Sequence, residues 1–149
     1  MTVQRYEDAL SSLLANMDGK ARRQLARDIA KQLRQSQQRR IAAQLNPDGS
    51  AFEKRKPQVR AQKGKLRRTM FSKLRTAKYL KTDAKPDAAV LGFISTVGRI
   101  AAVHQYGLRD RAQKGGHEVQ YPSRQLLGFT DADIDAIRDA VLTKLSQQP

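Results

Sequence analysis

Hydrophobic positions along the chain follow two rhythms. In the first third the spacing is helical. Val3, Tyr6, Leu10, Leu13 and Leu14 predict a short amphipathic helix over residues 3–16, and Asp18-Gly19 breaks it as a turn signal. A longer helix is expected from Lys20 to about Leu45. Leu25, Ile29 and Leu33 form its apolar stripe, and Ile41 and Leu45 resume the stripe after a polar patch. Arg22, Arg23, Arg27, Lys31, Arg34, Arg39 and Arg40 cover the rest. The pair makes a helical hairpin whose stripe must be buried elsewhere.

Asn46 before Pro47 disfavours helix, and Asp48-Gly49 turns the chain. Residues 47–65 show neither rhythm and read as an extended, mobile basic loop. Leu66, Met70, Phe71 and Leu74 return to helical spacing, so a short helix is expected, with a strand as the lesser alternative. Strand-like runs follow. "KYLKTDA" and "AVLGFIS" flank a turn at Lys85-Pro86-Asp87, which predicts an antiparallel hairpin with Gly92 as a bulge or point of close approach. Val97, Ile100, Ala101 and His104 share one face of a further helix, and Gly107 fits its C-cap. "LRDRAQKGG" reads as a second basic loop, and "HEVQYP" as a short strand added to the hairpin.

The last helix has the clearest start. Thr130 stands three residues before Asp133, the capping-box spacing, and Asp131, Asp133 and Asp135 suit the helix dipole. Ile134, Ile137, Val141, Leu142 and Leu145 mark its buried face. The expected fold class is therefore α+β: an N-terminal helical hairpin, a small antiparallel sheet and a C-terminal closing helix, in a single domain over residues 1–149.

Charge changes the picture. The chain has 149 residues and a formal net charge of +15. Residues 1–50 carry nine Lys/Arg against five Asp/Glu, residues 51–86 thirteen against two, and residues 87–149 seven of each. The surplus in the middle implies an acidic partner, either nucleic acid or an acidic protein surface. Lys54, Arg55, Lys56, Arg60, Lys63, Lys65, Arg67 and Arg68 are the candidate contacts. Phosphate-backbone binding through residues 51–86 is one reading. Phe52, Phe71 and Tyr79 flank the basic run without making a paired stacking platform, and no helix-turn-helix or zinc-finger spacing appears.

Catalysis finds little support. The absence of cysteine excludes disulfides, thiolate metal sites and a cysteine nucleophile. The two histidines, His104 and His117, lie thirteen residues apart with no third ligand, and the carboxylates are scattered or used at helix starts. No glycine loop with a lysine suits a phosphate. No catalytic residue, metal ligand or cofactor is assigned. The longest apolar run, "AAVLGFI" (interrupted only by Gly92), is far below the roughly 20 residues of a membrane span. "MTVQRYEDALSS" does not read as a signal peptide, so a cytoplasmic protein is expected.

Five landmarks occur in order: "LNPDGSAFEKRKP", "MFSKLR", "GFIS", "RIAAVHQYG" and "YPSRQLLGFTDADIDAI". Together they resemble the phage virion morphogenesis family, from about residue 3 to residue 145. Its members are the tail-completion proteins of contractile-tailed temperate bacteriophages, and the chain is similar also to Mu-like virion morphogenesis proteins. The resemblance implies a structural protein without enzymatic activity or cofactor. It would act at the head-proximal end of the tail during head–tail joining, in the host cytoplasm and then in the virion tail. It also implies a homo-oligomeric ring, often of six subunits. Tail-tube, sheath and head–tail connector proteins would be its partners, with phage DNA as a further, non-specific one. In that frame the basic loop reaches a partner or DNA, and His104, Gln105, Tyr106, Tyr121 and Arg124 serve packing or subunit contact.

Overall fold

The computed structural model describes residues 11, 15–56 and 69–147. Among them lie three helices and four strands: α1 (Gly19–Ala42), β1 (Leu80–Lys85), β2 (Ala88–Phe93), α2 (Ser95–Tyr106), β3 (Arg109–Arg111), β4 (Glu118–Gln120) and α3 (Asp131–Ser146). The α+β class is as expected. The helix predicted over residues 3–16 lies mostly outside the described residues; of it only Ser11, Ala15 and Asn16 are seen, the first two helical and Asn16 in a turn.

The chain divides into two compact units. One takes the described residues up to Arg34, Thr82–Leu91 and those from Asp131 onward; the other takes Gln35–Lys81 and Gly92–Thr130. In the first unit, Asp18 caps α1 by accepting a hydrogen bond from the Ala21 N–H at 2.7 Å. Met17, Leu25 and Val141 are its buried core, with Ala21, Ile29, Ile137, Ala140 and Leu145 packed around them. On α3 the i, i+4, i+8 stripe Ile137, Val141, Leu145, with Ala140 beside it, does this packing. Ile134 and Leu142, which the spacing also assigned to the buried face, are 43% and 46% exposed.

The second unit is built differently. Its core is Ile41, Phe52, Met70, Ala101 and Leu126, with Phe71, Leu74 and Phe93 against it. After α1 the chain reverses sharply. Gln44 takes a left-handed conformation (φ 60°) and its carbonyl accepts the Phe52 N–H at 2.8 Å. Between them Asp48 accepts hydrogen bonds from the Ser50 N–H and hydroxyl, at 2.8 and 2.5 Å, and Gly49 turns at φ 89°. The segment expected as an extended, mobile loop at 47–65 is therefore neither extended nor loose at its start. Residues 47–52 form a hydrogen-bonded turn that buries Phe52, because an aromatic side chain gains more from the core than the polar turn loses. Residues 57–65 lie outside the described residues.

Three further expectations are corrected. Residues 69–79 form successive turns rather than a helix, and Phe71 sits at φ 67°. Gln44 explains this: its side-chain amide accepts the Met70 N–H at 2.8 Å and donates to the Met70 carbonyl at 2.9 Å, which takes these groups out of any helical ladder. "HEVQYP" does not join the hairpin. β1 pairs with β2, and β3 pairs separately with β4, in the register Arg109 to Gln120, Asp110 to Val119 and Arg111 to Glu118. The second basic loop thus begins as a strand. The hairpin turn at Pro86-Asp87 and the left-handed C-cap of α2 at Gly107 (φ 64°) match the sequence reading. On α2, however, Ala101 and Val103 are buried while Ile100 is 53% exposed.

Between β4 and α3 the chain runs without regular structure, yet Arg124 and Leu126 are buried. With no strand partner, the backbone groups of residues 125–128 are met by side chains. Gln105 Oε1 accepts the N–H groups of Leu126 and Leu127, both at 2.9 Å, and Gln105 Nε2 donates to the Leu127 carbonyl at 2.8 Å. Gln37 does the same for Gly128, donating at 2.9 Å and accepting at 3.2 Å. Arg40 donates to the carbonyls of Leu45, Gln125 and Leu126 at 2.7–2.8 Å and to Gln37 Oε1 at 2.5 Å. Gln37 and Arg40 thus turn one side of the polar patch of α1 into a buried recognition surface. Arg40, read as surface cover, is only 8% exposed.

Two outcomes are expected in urea unfolding. Gln37→Leu keeps the volume but orphans both Gly128 groups and an Arg40 contact, so it should destabilise by about 2–4 kcal/mol. Gly128→Ala should also destabilise, since a Cβ there would stand 2.4 Å from the Pro47 ring. A Gln37→Leu variant as stable as the parent would show that these bonds do not hold the segment.

Candidate functional site

The Asn46–Ser50 turn and buried Phe52 deliver Glu53, Lys54, Arg55 and Lys56 to the surface as an exposed strip. The Met70–Phe71 turn, the last turn of α2 and the segment leaving β4 approach the same place. Together they enclose an open cleft of about 410 Å³, whose lining includes that strip, Phe71, His104, Tyr121 and Arg124.

Its wall is a chain of rings. Phe52 and Phe71 meet edge to face at 5.8 Å, Phe71 and His104 at 4.8 Å, and His104 and Tyr121 at 5.2 Å. This spacing is favourable for aromatic pairs. His104 Nδ1 is buried and, among the described residues, has no hydrogen-bond partner. Burial, then the positive charges of Arg124 and Arg55, push the imidazole down to about 4. It is therefore neutral at pH 7.

Arg124 is 4% exposed. Its N–H donates to the His104 carbonyl and its Nε to the Glu53 carbonyl, both at 2.7 Å. Burial lowers the guanidinium's pKa from its ordinary value, and Arg55 adds to this against the opposing effect of Glu53 and Tyr121. Among the described residues, the cleft thus holds one buried cation, three exposed ones and one acid.

Of the predicted contacts, Lys54, Arg55 and Lys56 lie on the rim, while Arg60, Lys63, Lys65, Arg67 and Arg68 lie outside the described residues. His104, Tyr121 and Arg124 converge on the cleft. Gln105 instead holds the Leu126–Leu127 backbone, and Tyr106 is 71% exposed and does not line the cleft. Sequence reasoning missed Phe71 as a site residue because its helical spacing suggested a core face. It also missed Gln37 and Arg40; a run of amides beside arginines within a helix was the only hint.

The chemistry available is anion binding. Among the described residues no group of three His, Cys, Asp or Glu could hold a metal ion, and no carboxylate hydrogen-bonds His104 to make it a base. Among them, too, no helix is long and apolar enough to cross a membrane.

The pattern shared by the phage virion morphogenesis family matches residues 1–146. The chain belongs to that family. It is 41% identical over 145 residues to tail completion protein S of Escherichia phage P2, covering 96% of this chain and 97% of that protein. No solved structure matches it. Membership makes this a protein of phage virion morphogenesis, so the cleft belongs to a component of particle assembly.

A pH prediction follows from His104. Unfolded, its imidazole titrates near 6.5; folded, near 4. Between those values the unfolded chain binds more protons, so stability is full above pH 6.5 and falls as pH drops toward 4. Screening of this partly exposed ring limits the loss to about 1–2 kcal/mol. His104→Phe should remove that share. Urea unfolding at several pH values across this window should therefore show a shallower decline for the variant than for the parent; parallel declines would refute the assignment.

Proposed function

We propose that this chain is a structural tail-completion protein, acting at the head-proximal end of a phage tail during head–tail joining. The observation that carries the reading is the end-to-end similarity to tail completion protein S of phage P2. The chain works as one module, assembles in the host bacterial cytoplasm and stays in the virion tail. It forms a homo-oligomeric ring and binds tail-tube, sheath or connector proteins. It binds them through shape and positive charge, without turning over a substrate. Lys54, Arg55 and Lys56, with the basic residues that follow, meet the partner or DNA; His104, Gln105, Tyr106, Tyr121 and Arg124 serve packing or subunit contact.

The local surplus of eleven positive charges over residues 51–86 favours a second reading, non-specific binding of the DNA backbone. Salt separates the two. Phosphate binding through many of these residues would make affinity fall steeply between low and physiological salt. Salt-insensitive or absent DNA binding would end that reading.

The primary test is loss of the gene in a phage or prophage that encodes it. Tails should accumulate that are overlong or unjoined to filled heads in electron micrographs, and a supplied copy should restore joined particles. Normal particles without the protein would overturn the proposal. Deleting Lys54–Lys63 should leave a cooperatively unfolding protein, since Phe52 and the core residues remain, but should not restore infectious particles. A deletion protein that is unfolded by circular dichroism would refute this view of the segment.

A further inference from the structure

We propose that the cleft between the Lys54–Lys56 rim and Arg124 docks an acidic segment of a partner protein, one carboxylate of which pairs with the Arg124 guanidinium. The inference rests on the assembly role above and names the partner's chemistry.

Arg124 carries the argument. It is 4% exposed and lines the cleft. Its backbone N–H and Nε are satisfied by carbonyls, but no carboxylate among the described residues pairs with it. Glu53 lends its carbonyl to Nε and acts through its charge only at longer range. Residues 57–68, which continue the chain from the rim, contain no Asp or Glu. A buried cation lacking a counter-charge is costly, and a planar guanidinium is shaped to take a carboxylate through two parallel hydrogen bonds. Arg55 disfavours a second cation at Arg124, but Glu53 offsets it, so burial itself is the main penalty on this guanidinium. An incoming carboxylate hydrogen-bonded to it would relieve that penalty.

The rest of the cleft selects a peptide over nucleic acid. Its apolar lining includes Met70, Phe71, Val119 and Pro122, which suits a hydrophobic side chain beside the carboxylate. The Phe71–His104 and His104–Tyr121 pairs are inclined at 72° and 69°, so they form a herringbone rather than the flat platform on which bases stack. Arg124 is buried, which favours a carboxylate on a narrow side-chain stem over phosphates on a broad duplex.

The full chain is titrated with a fluorescein-labelled peptide Glu-Glu-Phe-Asp-Glu, its Gln/Asn analogue, and a short oligothymidylate of equal charge, at about 150 mM salt. The acidic peptide should bind and the neutral analogue should not. Arg55→Glu, an exposed position, should weaken peptide binding at least about tenfold. Arg124→Gln should do the same with an unchanged circular dichroism spectrum; should that variant misfold, Arg55→Glu and Lys54→Glu decide the matter. Lys31→Glu, an exposed α1 position outside the cleft lining, alters net charge equally and should leave binding within about twofold. Three results would overturn the proposal: no peptide binding, an equal loss with Lys31→Glu, or tighter oligothymidylate binding with the same sensitivity to Arg55→Glu. The assembly role is judged separately by electron microscopy of tails. Failed peptide binding with intact complementation would remove the cleft proposal alone, whereas peptide binding without complementation would remove only the assembly role.

Discussion

The second unit depends on burying a stretch of chain whose residues 125–128 have, among the described residues, no backbone partner for their peptide groups. Arg124 and Leu126 are 4% and 0% exposed within an irregular segment. Buried peptide groups without partners would cost more than the apolar burial returns. Gln37, Arg40 and Gln105 meet that demand with side-chain donors and acceptors from two helices, and Asn46 Oδ1 adds the Gln125 N–H at 2.9 Å. Amides suit this task because each offers a donor and an acceptor at the spacing of a peptide group. Gln44 repeats the device on Met70.

The same segment shapes the cleft. Its first residues, Tyr121 to Arg124, leave β4 and are tied to α2 and the residues just after it, through the Arg124 N–H to His104 carbonyl bond at 2.7 Å and the Tyr121 N–H to Leu108 carbonyl bond at 3.1 Å. Gly107 makes the approach possible, since a Cβ there would come within 2.9 Å of the Ser123 nitrogen. The ring contact between His104 and Tyr121 and the placement of Arg124 beside Glu53 follow from this docking. Packing and site are therefore one construction: what anchors the irregular chain also holds a buried cation at the cleft.

Such a construction suits a protein of virion morphogenesis. Assembly needs a surface of defined shape and charge more than a tuned reactive group. The chain supplies few acids, no thiol, and a histidine kept neutral by its surroundings. Positive charge is concentrated where a folded turn hands the chain to the rim. A charged strip held at one end by Phe52 gives directional electrostatics, which affects specificity and encounter rate more than raw affinity.

Much was legible in the residues alone. Hydrophobic spacing and turn chemistry located the three described helices, the Pro86-Asp87 hairpin and the Gly107 cap, because these depend on interactions within a few positions. The α+β class, the uneven charge and the family resemblance were legible for the same reason: each is carried by local residue order. Tertiary structure alone decided that Gln37 and Arg40 of the polar patch of α1 face inward, that Phe71 leaves helical geometry, that β4 pairs with β3, and that His104, Tyr121 and Arg124 meet Lys54 to Lys56 around one cleft. Those outcomes join residues tens of positions apart, such as Gln37 with Gly128 and Glu53 with Arg124. No local pattern marks a glutamine or arginine as interior, since its burial becomes favourable only once distant backbone groups arrive to use its hydrogen bonds.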